Sequence, residues 1–82
     1  MPTVLKIGPY RFYFFSHEGT EPPHIHVDRN DSSAKFWINT NVQLASSVGF
    51  NAKEIRVVQK MVEDNHQKFL EAWNGYFSSS SR

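Results

Sequence analysis

The hydrophobic pattern of this 82-residue chain changes period once, near Gly49, and that change limits the folds open to it. Before Gly49, alternating or aromatic-rich segments at 3–7, 10–15, 24–29 and 34–38 are typical of β-strands. After it, apolar side chains recur at helical spacing from Ala52 to about Tyr76. Strands grouped before a helix are typical of a sheet with a helix on one face. The predicted fold class is α+β, an antiparallel β-meander of three to four strands packed against one long C-terminal helix.

Short breaks separate the predicted strands. Gly8-Pro9 predicts a hairpin between the first two, and Asn30-Asp31-Ser32 predicts a turn between the last two clear strands. The segment 16–23, SHEGTEPP, is predicted to be a loop, because proline cannot donate a hydrogen bond to a strand ladder. Segment 39–48 leaves two readings open: a short last strand at 42–44, or a loop with a helical turn.

The start of the helix is the clearest local signal in the chain. Asn51 fits the N-cap position, and Glu54, three residues later, completes a variant of the capping box. Phe50 and Ile55 fit the hydrophobic staple that accompanies such a cap. His66 falls within the apolar stripe of the helix, so we expect it to be a satisfied core or interface residue.

Length and composition indicate one domain. The chain has no cysteine, so no thiol is available as a nucleophile or metal ligand. Stability must come from the aromatic residues, which make up 15% of the chain, or from burial against another copy or a partner. The domain is predicted to span 1–77, and the segment SSSSR, 78–82, is predicted to be a disordered serine-rich tail.

Charge and hydropathy argue against two classes of partner. Nine Lys and Arg against eight Asp and Glu give a net charge of +1, which does not steer the whole chain toward nucleic acid or membrane. No apolar run approaches the roughly 20 residues that span a bilayer, and the first residues lack the pattern of a signal peptide. We expect a cytoplasmic protein with no membrane partner.

Strand parity divides the predicted sheet into two faces. The face expected to meet the helix carries Leu5, Ile7, Phe12, Phe14, Ile25, Val27, Phe36 and Ile38. The opposite face, called the outer face below, carries Val4, Lys6, Arg11, Tyr13, His24, His26, Lys35 and Trp37. Such mixtures of aromatic and cationic side chains occur in platforms for single-stranded nucleic acid and in protein interfaces. A structural alternative is that Tyr13 and Trp37 pack on each other and on the Lys and Arg stems.

His24 and His26 lie two residues apart on one predicted strand, so both imidazoles are expected to project from the outer face. Residues of this kind are most often hydrogen-bonded surface or interface residues. Two functional alternatives stay open: a general acid and base pair, or a divalent metal site with Asp28 as third ligand. In that case His17, Glu18 and Glu21 in the preceding loop are the further candidates to close over the site. No bound cofactor is expected.

Three stretches of the chain resemble one known family. They are IGPYRFYFFSHEGTEPPHIHV at 7–27, AKFW at 34–37, and the run from Gly49 to Phe77. Together they resemble the small bacterial family called domain of unknown function 4160. The pattern is kept at Pro22, Pro23, His24, His26, Ala34, Lys35, Phe36, Trp37, Gly49 and Phe50. The resemblance implies no established activity and assigns no catalytic residue, but it implies a component of a two-gene module, of a kind suspected to be toxin–antitoxin.

Two functions follow from these observations. The first is a non-enzymatic binding domain that contacts itself or the product of a neighbouring gene. The alternative is an RNA-binding protein or metal-independent ribonuclease toxin, with His24 and His26 as acid and base and Lys35 or Arg11 on phosphate. The candidate binding residues are Lys6, Arg11, Tyr13, His24, His26, Lys35 and Trp37. The sequence leaves open the role as toxin or antitoxin.

Overall fold

The fold is a single antiparallel sheet followed by two helices, in a computed structural model that describes residues 3–15 and 20–80, with the last three by backbone only. The elements are β1 (Thr3–Ile7), β2 (Tyr10–Tyr13), β3 (His24–Arg29), β4 (Ser32–Trp37), β5 (Gln43–Val48), α1 (Ala52–Asp64) and α2 (His66–Ser80). The strands lie in chain order, β1-β2-β3-β4-β5. The predicted α+β meander is confirmed. The predicted count of three to four strands and one helix is wrong, because the described residues form five strands and two helices.

Two tight turns set the hairpins of the meander. Gly8 has a φ of 56° between β1 and β2, and Asn30 has a φ of 53° between β3 and β4. Glycine and asparagine are the residue types that adopt this left-handed conformation at least cost. The predicted hairpin at Gly8-Pro9 and the predicted turn at Asn30 are therefore present.

The inner face of the sheet carries the core. Phe12, Phe14, Ile25, Val27, Phe36 and Ile38 are all buried, as strand parity predicted. Val58 and Val62 of α1 and Phe69 and Trp73 of α2 complete the same cluster. The Phe12 and Phe69 rings stack with their centroids 5.2 Å apart, which fixes α2 over β2.

A β-bulge moves one residue away from its predicted face. The pairing of β1 with β2 shifts register between Thr3 and Leu5, so Val4 is left over from the alternation. Val4 is partly buried and packs against the core, although parity placed it on the outer face. Thr3 takes up the position opposite Tyr13 instead.

The helical region is divided at Asn65. The Asn65 side chain donates to the Met61 carbonyl oxygen at 2.9 Å, and its backbone N–H reaches the same oxygen at 3.2 Å. Asparagine favours helix ends because its side chain competes for backbone groups in this way. The Asn65 carbonyl then accepts from Phe69, which starts α2. One continuous helix was predicted because the apolar stripe crosses Asn65 without interruption.

The sequence predicted the start of the helical region correctly but not its end. Asn51 is the N-cap of α1 and accepts a hydrogen bond from the Glu54 backbone N–H at 2.8 Å, which confirms the predicted cap. At the other end, α2 continues to Ser80, beyond the end predicted near Tyr76 and into the predicted serine-rich tail. The last two residues of that predicted tail, 81–82, lie outside the described residues.

Strand β5 was the hardest element to predict. Its sequence, QLASSV, shows no alternation of apolar and polar residues, and all six residues are exposed. It forms because β4 offers an unpaired edge, with Ser33 opposite Val48 and Lys35 opposite Ser46. Pairing context overrides a weak intrinsic preference for the strand conformation.

Gly49 supplies a test of how β5 connects to α1. Its φ of 90° is unfavourable for other residues, and an added Cβ would lie 2.6 Å from Ser32 Oγ and 3.1 Å from Ser32 Cα. Gly49→Ala should therefore lower the free energy of unfolding by about 1–3 kcal/mol. Gly75→Ala is the matched control, because a Cβ added at that helical site would meet no side chain or neighbouring element within 4 Å. This variant should gain about 0.5–1 kcal/mol. Urea unfolding measures both, and equal stability of the two variants would contradict the turn geometry.

Candidate functional site

The outer face is organised in cross-strand rows. Residues directly opposite one another are Arg11 and Asp28, Tyr13 and His26, His26 and Lys35, and His24 and Trp37. The predicted binding residues of β2, β3 and β4 are thus neighbours. Lys6 lies at one side, exposed and opposite Arg11. The sheet therefore brings the candidate set together, with Val4 excluded by the bulge.

Tyr13 is buried in the middle of this face and is not an exposed stacking residue. Only 7% of it is exposed. Its hydroxyl donates to Asp28 Oδ1 at 3.0 Å, and the Arg11 guanidinium lies 4.5 Å from its ring centroid. The His26 ring stacks on it at 5.3 Å. Tyr13 lies on the outer face as predicted, but the platform hypothesis, which needs its ring exposed, does not fit, because Arg11, Asp28 and His26 surround it.

His24 is completely buried, with 0% of its surface exposed. Its ring centroid lies 4.8 Å from that of Trp73 and 5.6 Å from that of Trp37. Because Trp73 also contacts Phe14 at 5.3 Å, this one side chain of α2 reaches from the core to the outer row. The prediction that His24 projects into solvent is wrong. Strand parity gives the side of the sheet but not how far α2 extends past the end of β3.

A backbone carbonyl fixes the proton position on His24. Its Nδ1 lies 2.9 Å from the Pro22 carbonyl oxygen. Since a carbonyl can only accept, Nδ1 carries the hydrogen and donates it. The Glu21 carboxylate lies 3.8 Å from the same nitrogen. The ring is thus oriented by its own loop and by two tryptophans.

His26 is half-buried beside its partner, with ring centroids 5.2 Å apart. It also contacts Phe15, whose ring lies edge-on at 5.0 Å. The two histidines are therefore neighbours, as predicted, inside an aromatic cluster. An acid and base pair needs both imidazoles to reach a substrate. His24 has no exposed surface with which to do so in this conformation.

The cations of the outer face have carboxylate and aromatic partners. Lys35 Nζ lies 2.9 Å from Glu21 Oε1 and 4.5 Å from the Trp37 ring centroid. Arg11 Nη1 lies 4.0 Å from Asp28 Oδ2, while Arg11 Nε donates to Thr3 Oγ1 at 3.1 Å. The predicted packing of aromatic rings with Lys and Arg side chains is present, and the local positive charge is offset.

The described residues do not form the metal site that the sequence left open as an alternative. Within 3–15 and 20–80, no group of three or more His, Asp or Glu side chains is placed to hold an ion, so His24, His26 and Asp28 do not form such a group. The proposed loop ligands His17 and Glu18 lie outside the described residues. Over the same part of the chain, no surface pocket is found, and no helix is long and apolar enough to cross a membrane.

A second polar cluster, absent from the sequence predictions, joins α1 to the sheet. Arg29 Nη2 donates to Glu54 Oε1 at 2.9 Å, Arg29 Nε lies 2.6 Å from Glu54 Oε2, and the Tyr10 hydroxyl donates to that oxygen at 2.8 Å. The cap spacing identified Glu54 but assigned its carboxylate to the helix start. Nothing local connects Glu54 with Arg29, which is 25 residues away.

This cluster shifts the titration of its members. The hydrogen bonds from Arg29 and then Tyr10 lower the pKa of Glu54 below its ordinary value of 4.5. Partial burial and the hydrogen bond to Glu54 raise the pKa of Tyr10. The hydrogen bond to Glu54 also raises the pKa of Arg29. The shifts of Glu54 and Arg29 favour a charged pair at neutral pH, and the shift of Tyr10 keeps its hydroxyl protonated as a donor.

His66 has a structural role. Its Nε2 lies 2.6 Å from the Ile38 carbonyl oxygen, so Nε2 donates, and the first residue of α2 is tied to the end of β4. The expectation that it is a satisfied residue of the apolar stripe is met.

Comparison with known proteins places the chain in a family. The model described as Domain of unknown function (DUF4160) matches residues 10–74, which is most of the chain. The chain belongs to the DUF4160 family. The matched region runs from β2 to α2 and contains every outer-face candidate except Val4 and Lys6. No curated protein and no solved structure matches the chain.

In this DUF4160 domain, substitution of each histidine in turn should show which of the two rings stabilises the fold. His24→Ala removes a buried ring between Trp37 and Trp73 and should lower the free energy of unfolding by roughly 2–4 kcal/mol. His26→Ala should cost less, because His26 is half-exposed. Urea unfolding followed by circular dichroism measures both. A His24→Ala protein as stable as the wild type would show that the ring is not part of the packing.

Loss of the Arg29–Glu54 pair should lower the stability of the protein by an amount that depends on pH. Because the folded-state pKa of Glu54 is lowered, its contribution is fully present above the ordinary pKa of 4.5 and is lost as the pH falls through the folded value. Glu54→Gln should therefore lower Tm at pH 7, and the difference from wild type should shrink at acidic pH. Glu63→Gln on the exposed side of α1 is the control and should change Tm little. A Glu54→Gln difference that does not change between pH 7 and pH 3 would contradict this account.

Proposed function

We propose that this DUF4160 domain is a non-catalytic, cytoplasmic protein-binding component of a two-gene, toxin–antitoxin-like module, and that its outer face contacts the partner protein. The two-gene setting comes from the family resemblance, while the surface comes from the geometry. The observation that carries the proposal is the complete burial of His24. It removes one of the two groups on which the catalytic alternative depends.

The remaining outer-face side chains are held in place before any partner binds. Trp37 is half-exposed, with the Lys35 ammonium over its ring and the Lys35 Nζ paired with Glu21. Arg11 is held between Thr3, Tyr13 and Asp28. Side chains already fixed in one conformation lose less entropy on binding. Trp, Tyr and Arg are also the residues that contribute most at protein interfaces.

The charge pattern of the outer face favours a protein over a nucleic acid. Glu21 and Asp28 lie beside Lys35 and Arg11, so positive and negative groups alternate across the surface. A phosphate backbone is bound by cations whose counterions are released, and carboxylates between them oppose that attraction. A protein with a complementary mixed pattern meets no such opposition.

Co-expression with the product of the adjoining gene tests the proposal. Trp37→Ala should weaken the purified complex about 30-fold or more, as loss of a central aromatic residue does. Val57→Ala is the matched control, since Val57 is an exposed apolar residue of α1. Titration calorimetry with the separately purified proteins measures both affinities, and circular dichroism confirms that the variants are folded.

Two results would contradict the proposal. One is equal affinity for wild type and Trp37→Ala, which would place the partner elsewhere. The other is the absence of a complex together with tight binding of single-stranded RNA that falls steeply with salt. That second result would favour the RNA alternative, with Lys6 and Arg11 as the first residues to substitute.

A further inference from the structure

The edge strand β5 is the most exposed strand of the sheet. Within the described residues it pairs with β4 alone, at the end of the strand order. All six of its residues are exposed, including Leu44 at 41% and Val48 at 68%. The outer side of such a strand presents backbone N–H and C=O groups that can pair with another strand.

The residue types around β5 carry no charge that would discourage such pairing. From Asn39 to Ala52 the chain contains no charged residue and no proline. The opposite edge differs, because β1 carries the exposed Lys6. Both edges contain a bulge, after Thr3 in β1 and at Ala45 in β5, so the bulges do not distinguish them. Exposed charges keep edge strands from associating, and of these two strands only β1 has one.

We propose that β5 pairs antiparallel with β5 of a second copy of the chain, so that two five-stranded sheets form one ten-stranded sheet. The occupant is a second copy because the strand is complementary to itself. In a two-fold arrangement each strand meets its own sequence, and a charge on it would face a like charge nearby. A strand of six uncharged residues avoids that repulsion. The inference uses the sheet edge and is independent of the outer-face proposal.

The faces of β5 determine the register of this pairing. Leu44 and Ser47 lie opposite the buried residues Phe36 and Ala34, so both belong to the inner face. Gln43 lies opposite Trp37 on the outer face. Residues directly opposite in an antiparallel pair point to the same side of the sheet.

The register that keeps each face intact sets Leu44 opposite Ser47 of the second copy, and Gln43 opposite Val48 of the second copy. Val48 lies opposite Ser33, in the same row as Asp28 and Arg11, so it too belongs to the outer face. The odd spacing is possible because the bulge between Lys35 and Phe36 shifts the alternation within β5. The two outer faces then lie side by side on one surface.

Oligomeric state gives the first test. Analytical ultracentrifugation over a range of concentrations should show a wild-type dimer. Ser46→Glu places a charge near the two-fold axis, while the new carboxylate lies opposite Lys35 of its own chain and does not disturb the pairing of β4 with β5. It should raise the dimer dissociation constant about tenfold or more. Asn74→Glu, the same change in charge at an exposed site of α2, should leave the dissociation constant unchanged. A wild-type monomer, or a Ser46→Glu dimer as tight as wild type, would overturn the proposal.

Cross-linking gives the second test, and the chain has no cysteine of its own to interfere. Leu44→Cys and Ser47→Cys proteins, purified separately and mixed under oxidising conditions, should form a disulfide-linked mixed dimer. Each protein alone should cross-link far less, because like positions would be three residues out of register, about 10 Å apart. Equal cross-linking of each protein alone and of the mixture would overturn the proposed register.

Discussion

The contact of Trp73 with His24 is the constraint on which the arrangement of the outer face depends. A single sheet with both helices against its inner face leaves the outer face to be closed by its own side chains. Trp73 crosses that division, since it packs on Phe14 within the core and on His24 at the end of β3. One side chain of α2 thereby stabilises the sheet and turns a histidine with functional potential into part of the packing.

Periodicity and turn chemistry were enough to predict much of the fold. Alternation of apolar and polar residues predicted the inner face of β1 to β4. Gly8 and Asn30 predicted two turns, and the spacing of Asn51 and Glu54 predicted the start of α1. For β5 the sequence left a short strand at 42–44 as one of two alternatives, because its exposed residues carry no pattern. The break at Asn65 was not predicted because the apolar stripe continues through it while the side chain bonds the Met61 carbonyl.

The candidate site was predicted less well, because parity describes direction and not surroundings. It placed Tyr13, His24 and His26 together correctly, yet it could not show that Tyr13 and His24 are buried. Those burials depend on contacts between distant parts of the chain: Asp28 accepts from the Tyr13 hydroxyl, and Trp73 packs on the His24 ring. The Arg29–Glu54 pair was not predicted for the same reason, since its two residues are 25 positions apart in the sequence. What results is a mixed-charge face whose side chains hold one another in place.

The central claim is that His24 is a buried structural residue whose Nδ1 hydrogen is held by the Pro22 carbonyl. Long-range ¹H–¹⁵N NMR of the histidine rings tests it most directly, because the two nitrogens of a neutral imidazole give different shifts for each tautomer. At alkaline pH the account predicts that His24 carries its hydrogen on Nδ1 and that this hydrogen exchanges slowly with water. A His24 ring with its hydrogen on Nε2, or one that exchanges as fast as a free imidazole, would contradict it.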